Sequence, residues 1–298
     1  MNSNLIHVIV PAYGRSPYLK ETLLSIVSNV PSDIPITVLD DCSPSNEIQE
    51  IVDEFSNRIK YKKNSYRLGI AKNFNEALKI SSGRFTMICG SDDKIKNSFK
   101  NITNIIAGIE FDKELAGVIF DAKVINENNN LHQKITDLVK WLLKPKLLKN
   151  FKKFEPNEFL KTIAVGDWVY FPSILWNTDV VKDFQFDENY KSAMDLKMFY
   201  DLSVANKYFI YAKEKFIEYR RHSDSASYLN FDEDRRFNEE IKCHQVMFKY
   251  AALNEDKILA FLTKLAISVR LNAIIKTLIS KEKTFIKLRK VRFFLRHF

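Results

Sequence analysis

Short apolar runs alternate with stretches of helical rhythm through the first third of the chain. Leu5–Val10 is an apolar, β-branched run, and Pro17–Val30 carries Leu19, Leu23, Ile26, Val27 and Val30 at helical spacing. Ile34–Leu39 reads as a second strand, Glu47–Phe55 as a helix and Ile59–Lys62 as a short strand. Ile70–Ile80 reads as a further helix and Phe85–Cys89 as another apolar strand. Strands alternating with helices of about ten residues predict βαβ units around a parallel sheet. Ala116–Ile125 and Tyr208–Tyr211 extend the strand set, with helices near Glu158–Ala164 and Asp195–Ala205, and from about Phe231 the rhythm is helical to the end. Two units are expected: 1–228 as an α/β domain and 229–298 as a helical, basic extension.

In an open parallel sheet, ligands bind beyond the carboxyl ends of the strands. Polar clusters stand at three such ends: Pro11-Ala12-Tyr13, Asp40-Asp41 and Ser91-Asp92-Asp93. Paired carboxylates at a strand end are a usual means of holding magnesium or manganese against a diphosphate. Read singly, the Asp92–Asp93 pair serves equally well as a polar turn or helix cap. No P-loop and no GxGxxG follows the first strand, so phosphates are expected to meet a cation rather than a glycine-rich cradle.

Composition narrows the classes. With 298 residues and 46% apolar content, the chain can bury a substantial core, and its seven glycines exclude a low-complexity or collagen-like reading. Three cysteines without CxxC spacing argue against a disulfide framework or a zinc site and for a reducing cytoplasm. The first apolar run is too short for a signal segment, and no stretch is long enough to span a bilayer, so a soluble or peripheral protein is expected. The net charge of +9 is concentrated in 134–153 and 281–298 and suits nucleic acid, an anionic membrane or phosphate-bearing substrates. No RRM, KH or helix-turn-helix pattern organises it, so nucleic acid is not an expected partner.

Five stretches together resemble family-two glycosyltransferases of the GT-A fold. They are VIVPAYGR (8–15), VLDDCS (38–43), YRLGIAKNFNEALKISSGRFTMICGSDD (66–93), AMDLKMFYDL (193–202) and YRRHSDSAS (219–227), in the family's order and spacing. The resemblance implies a Rossmann-like, mostly parallel central sheet flanked by helices. It also implies inverting transfer of a sugar from a nucleoside-diphosphate donor, UDP-sugar favoured, with Mn2+ or Mg2+ as cofactor. Pro11, Ala12, Tyr13 and Arg15 would border the nucleotide, Asp41 would accept from the base, and Arg67 or Lys72 would bring positive charge. Ser91 and Asp92 would face the ribose and metal region, Asp93 and His222 would meet the cation, and Asp195 would be the catalytic base. Gly90 departs from the family's frequent Asp at the head of this motif. The region 120–175, with Trp141, Asp167 and Trp168, and nearby Trp176 are expected to set specificity; Asp201 is expected to be structural.

The resemblance further implies a glycan or lipid-linked oligosaccharide acceptor in surface-polysaccharide or lipopolysaccharide synthesis. The basic 281–298 segment, with Phe293 and Phe294, is expected to lie on an anionic membrane surface, which would make the protein peripheral on the inner face of the cell membrane. For 257–280, packing on the core is an equal expectation. Alternatives are a sugar nucleotidyltransferase, which would need a glycine-rich basic loop after the first strand, and an inactive carbohydrate-binding relative.

Overall fold

A computed structural model describes residues 4–131, 135–146, 149–222 and 233–279. In chain order the first half holds β1 (Asn4–Ala12), α1 (Leu19–Asn29), β2 (Ile36–Asp40), α2 (Glu47–Asp53), β3 (Lys60–Lys63), α3 (Ile70–Ile80), β4 (Gly83–Ile88), β5 (Lys94–Ile95), α4 (Phe99–Ala107) and β6 (Leu115–Ile125). The second half holds α5 (Ile135–Leu143), β7 (Phe151–Phe154), α6 (Pro156–Val165), β8 (Ile174–Asn177), α7 (Thr178–Phe184), α8 (Met194–Val204) and β9 (Tyr208–Arg220). Three helices follow: α9 (Glu233–Leu253), α10 (Lys257–Leu265) and α11 (Ile267–Ile279).

The strands form one sheet in the order β3-β2-β1-β4-β8-β6-β9-β5, with β7 also paired to β9. β3, β2, β1 and β4 are mutually parallel, as are β6 and β9; β8, β5 and β7 run antiparallel to their partners. β1 is central because it is apolar on both faces. Ile6, Val8 and Val10 enter the core on one side and Ile9 the core on the other. The chain leaves β1 toward β2 and returns on its far side as β4, so a crevice opens between the carboxyl ends of β1 and β4. The mostly parallel α/β sheet flanked by helices therefore agrees with the expected architecture.

β8 inserts between β4 and β6 and lies close against β6. A Cβ at Gly117 would stand 2.7 Å from the Leu175 carbonyl oxygen, so only glycine fits that contact. β9 is far longer than the strand expected at Tyr208–Tyr211. Its register against β6 slips between Ala212 and Lys215, and this bulge interrupts the apolar alternation before the strand resumes and carries Arg220 to the site.

The helical extension shares the core. Cys243, Met247 and Ala251 of α9 and Leu259 of α10 join Phe159 and Leu160 of α6 and Phe199 and Leu202 of α8. Asp256 accepts from the Leu259 N–H at 2.9 Å and pairs with Lys161 of α6 at 2.8 Å, which pins the start of α10. For 257–279 the core-packing expectation describes α10. The basic tail 281–298 and Ser223–Ser227 of the last motif lie outside the described residues. Among the described residues no helix is long and apolar enough to cross a membrane.

Candidate active site

At the end of β2 the two aspartates are used differently. Asp40 is fully buried and accepts from Ser43 N–H at 2.9 Å, Ser43 Oγ at 2.5 Å and the Tyr61 hydroxyl at 2.6 Å. It is a strut of the turn. Ser43 Oγ in turn accepts from the N–H of Gly14, whose φ of +66° is a conformation that favours glycine. Asp41 grips the loop before α3, accepting from Asn64 Nδ2 at 3.1 Å, Leu68 N–H at 2.7 Å and Gly69 N–H at 2.8 Å. That loop presents Arg67, whose guanidinium carbon lies 3.9 Å over the ring centre of exposed Tyr13. Tyr13, Asp41 and Arg67 are thus gathered on one side of the crevice.

The Asp92–Asp93 pair splits more sharply. Asp93 is 2% exposed, and its Oδ1 accepts from the Arg220 backbone N–H at 2.9 Å. Burial, and then the neighbouring Asp92, push its carboxyl well above the usual range. The side chain of Asp92 is 25% exposed and its Oδ2 lies 2.8 Å from His222 Nε2. The ring of His222 packs edge-on to Tyr18 at 4.7 Å, and its Nδ1 is buried with no hydrogen-bond partner. Asp93, expected as the main cation ligand, is buried and bonded to the β9 backbone, and Asp92 carries the more accessible carboxylate.

Gly90 explains how both carboxylates fit. A Cβ there would stand 2.6 Å from Asp92 Oδ1 and 2.6 Å from Asp93 Oδ2. The space a side chain at position 90 would need is filled by those of Asp92 and Asp93. Gly90→Ala should therefore cost about 1–3 kcal/mol by overpacking and weaken nucleotide binding. Chemical denaturation and calorimetric titration with UDP check this; unchanged values for both would show that the turn yields freely.

Arg220 ties the turn to its surroundings. Its Nε donates to the Asp92 carbonyl at 2.7 Å and its Nη2 to Glu21 Oε2 at 2.9 Å. Ser91 is held through its carbonyl, which accepts from Thr22 Oγ1 at 3.1 Å.

The second half of the site lies around Asp195, in the first turn of α8, a position that favours a carboxylate. Its Oδ1 accepts from Leu196 N–H at 2.9 Å. Burial, then nearby Asp167, push its carboxyl up to about 6 against the opposing pull of Lys140 and Arg236. Lys140 bonds Asp167 Oδ2 at 3.0 Å and the Val169 carbonyl at 2.6 Å. One turn earlier on α5, Asp137 pairs with Arg221 at 2.6 Å and accepts from the Tyr170 hydroxyl at 2.9 Å. α5 thus links the end of β9, where His222 stands, to the carboxylates at Asp167 and Asp195.

Other expected residues lie elsewhere. Lys72 pairs with Glu188 at 3.0 Å, beside a surface depression that α3 shares with Lys182, Gln185 and Leu68 of the Asp41 loop. Arg15 is solvent-exposed. Of the tryptophans expected to set specificity, Trp168 and Trp176 lie in the core and Trp141 is exposed. Asp201 pairs with Lys197 at 2.6 Å on α8, the structural use expected of it. Sequence reading missed Glu21, because its partner Arg220 is 199 positions away.

Comparison with known proteins agrees with this architecture. The model of the family "Glycosyl transferase family 2" matches residues 7–172. An uncharacterized glycosyltransferase of Methanocaldococcus jannaschii is 25% identical over 77% of this chain and 75% of its own length. The UDP-Glc:alpha-D-GlcNAc-diphosphoundecaprenol beta-1,3-glucosyltransferase WfgD of Escherichia coli is 31% identical over 31% of this chain and 37% of its own. The crystal structure of S. aureus TarS 1-349 with UDP-GlcNAc superposes with a TM-score of 0.63 at 21% identity, covering 98% of this chain and 81% of that one. With a matching family model over more than half its length, and a sheet whose strand ends gather Tyr13, Asp41 and Asp92, the chain belongs to glycosyl transferase family 2.

Proposed function

We propose that the chain is an inverting glycosyltransferase that moves a sugar from a UDP-sugar to a hydroxyl of a glycan or lipid-linked acceptor in surface-polysaccharide synthesis. The observation that carries this reading is the partly exposed Asp92 carboxylate beside His222, together with a half-buried carboxylate, Asp195, the two regions being connected through α5 by the Asp137–Arg221 and Lys140–Asp167 pairs. WfgD, with its UDP-glucose donor and diphosphoundecaprenol acceptor, and TarS, solved with UDP-GlcNAc, support the donor and acceptor classes.

In this reading the uridine lies between Tyr13 and the Asp41 loop. Three hydrogen bonds to Asp41 leave one of its roughly four acceptor positions for the base N–H. Asp92 and His222 face the diphosphate. His222 Nε2 and Asp92 Oδ2, 2.8 Å apart, are close enough to hold one manganese or magnesium ion that completes its shell from phosphate and water. When bound, such an ion supplies Lewis acidity toward the leaving diphosphate. Among the described residues no group of three or more carboxylate, imidazole or thiol ligands gathers, in keeping with an ion held partly by the nucleotide. Asp195 takes the acceptor hydroxyl proton as that oxygen attacks the anomeric carbon from the side opposite the departing UDP.

The test is incubation with UDP-glucose or UDP-GlcNAc, manganese and a polyprenyl-diphosphate-linked sugar acceptor. The expected products are UDP and an extended acceptor with inverted anomeric configuration. Retained configuration, or pyrophosphate-dependent exchange without transfer, would overturn the reading. The metal assignment has its own prediction. Asp92→Asn should weaken the apparent manganese affinity on the order of 10–100-fold. Asp93→Asn, which removes a buried carboxylate held well above its usual range and keeps an oxygen for the Arg220 N–H, should raise or leave unchanged the melting temperature near pH 7.5 and leave the manganese titration midpoint nearly unchanged.

A further inference from the structure

Glu239 belongs to α9, in the helical extension, yet its carboxylate holds the loop that enters α8. Its Oε2 accepts from the backbone N–H groups of Lys191, Ser192 and Ala193 at 3.0, 2.7 and 3.0 Å, and its Oε1 from Lys191 N–H at 3.1 Å. These residues immediately precede Met194 and Asp195, the first two of α8. The residue capping this helix, Ala193, offers no side-chain cap of its own. The backbone amides of the three residues leading into α8 are satisfied by a carboxylate 46 to 48 positions later.

The contact is built to be rigid. Glu239 is 6% exposed, and charge-assisted bonds to several amides are stronger than neutral ones. Cys243 and Met247, one and two turns along α9, are locked into the core with Phe199 of α8. Arg236, almost one turn before Glu239, bonds Glu240 at 2.8 Å, and the charges of Asp195 and Asp167 reach it. α9 therefore brings one residue that fixes the backbone leading to Asp195 and another that acts on the carboxylate's charge.

We propose that Glu239 is a positioning residue for Asp195, so that the helical extension is a working part of the active site. The proposal rests on Asp195 being the base. A base misplaced by about 1 Å can lose on the order of 10²-fold in rate, and the three bonded amides end two residues before Asp195.

The experiment uses the full chain and the variants Glu239→Ala, Glu239→Gln, Asp195→Asn and Asp195→Asn/Glu239→Ala. Readouts are kcat and KM for transfer, UDP affinity by calorimetry and melting temperature. Glu239→Ala should lower kcat by roughly 10²-fold with donor KM and UDP affinity within about twofold of the parent. Glu239→Gln, which keeps an oxygen against the same amides, should recover roughly tenfold of that loss. In the Asp195→Asn background, Glu239→Ala should change the residual rate by less than about twofold, because both act through one step.

A kcat for Glu239→Ala within about threefold of the parent, or an equal loss in both backgrounds, overturns the proposal. Parallel losses of UDP affinity and kcat, with no rescue by Gln, would assign Glu239 a structural role only. If the alanine variant does not fold, Glu239→Asp replaces it. That variant keeps the charge but withdraws it by one methylene, and parental kcat there overturns the proposal equally. Asp195→Asn with parental turnover would instead remove the base itself, whatever the Glu239 variants do.

Discussion

Asp195→Asn is expected to lower kcat/KM for transfer by about 10²–10⁴, the range supplied by a positioned general base, with UDP affinity unchanged. The amide can still accept from Leu196 N–H but cannot take a proton, so structure and chemistry separate. The pH profile gives the sign independently. A base works ionised, and this carboxyl is pushed up to about 6, first by burial and then by Asp167. The rate should therefore be level above roughly pH 7 and fall about tenfold per unit well below 6. Asp167→Asn removes a negative neighbour and should move the acid limb to lower pH. Arg236→Met removes a positive one and should move it higher.

Stability should run the other way. A carboxyl whose folded value is raised opposes folding once ionised, so this cost is absent below its unfolded value near 4 and grows as pH rises through about 6. Asp195→Asn should therefore melt at a higher temperature than the parent at pH 7.5, with the difference vanishing near pH 4. A parent enzyme whose activity holds level down to pH 4.5 would remove Asp195 as the base.

What the residues announced in advance were the features that depend on local pattern. β1, β2 and β4 are largely buried on both faces and read as mainly apolar runs, and α3 carries its apolar face at helical spacing. β5, with two residues, and β7 and β8, with four each, are too short for any period to register. Their pairing with β9, β4 and β6 is decided by tertiary contact. At the site, the strand-end aspartates were legible but their directions were not. Which of two adjacent carboxylates faces inward is set by the turn at Gly90 and by a backbone N–H from β9, neither of which leaves a periodic trace. Arg220 was visible as part of the YRRHSDSAS stretch. Its use as an internal brace depends on Glu21 and on the carbonyls of Asn126 and Glu127, all far away in sequence.

That brace carries the largest stability effect expected outside the apolar core. Arg220 is 1% exposed and makes a donor network to four groups: the Asp92 carbonyl at 2.7 Å, the Asn126 and Glu127 carbonyls at 3.2 and 3.3 Å, and Glu21 at 2.9 Å. Its guanidinium also lies 4.4 Å over the Tyr18 ring centre. Removing it leaves a fully buried cavity and four partly buried acceptors without their donor, so Arg220→Met should cost about 3 kcal/mol. Lysine is no remedy, because a single ammonium cannot reproduce the planar fork, and Arg220→Lys should still lose roughly 2 kcal/mol. Glu21 is different. Burial disfavours its charge, but Lys94 and Arg220 outweigh this and hold its carboxyl below the usual range. Because its side chain is about one third exposed, solvent screens the pair, and Glu21→Gln should cost about 1 kcal/mol or less. The ordering Met worse than Lys, and both worse than Glu21→Gln, is the signature of buried carbonyls rather than of an ion pair. Urea unfolding with a shared m-value measures it. If Glu21→Gln destabilised as much as Arg220→Met, the ion pair would be the main contribution and the carbonyl network secondary. Because Arg220 Nε holds the Asp92 carbonyl, the same Met variant should also weaken manganese and UDP binding, linking the brace to the site it frames.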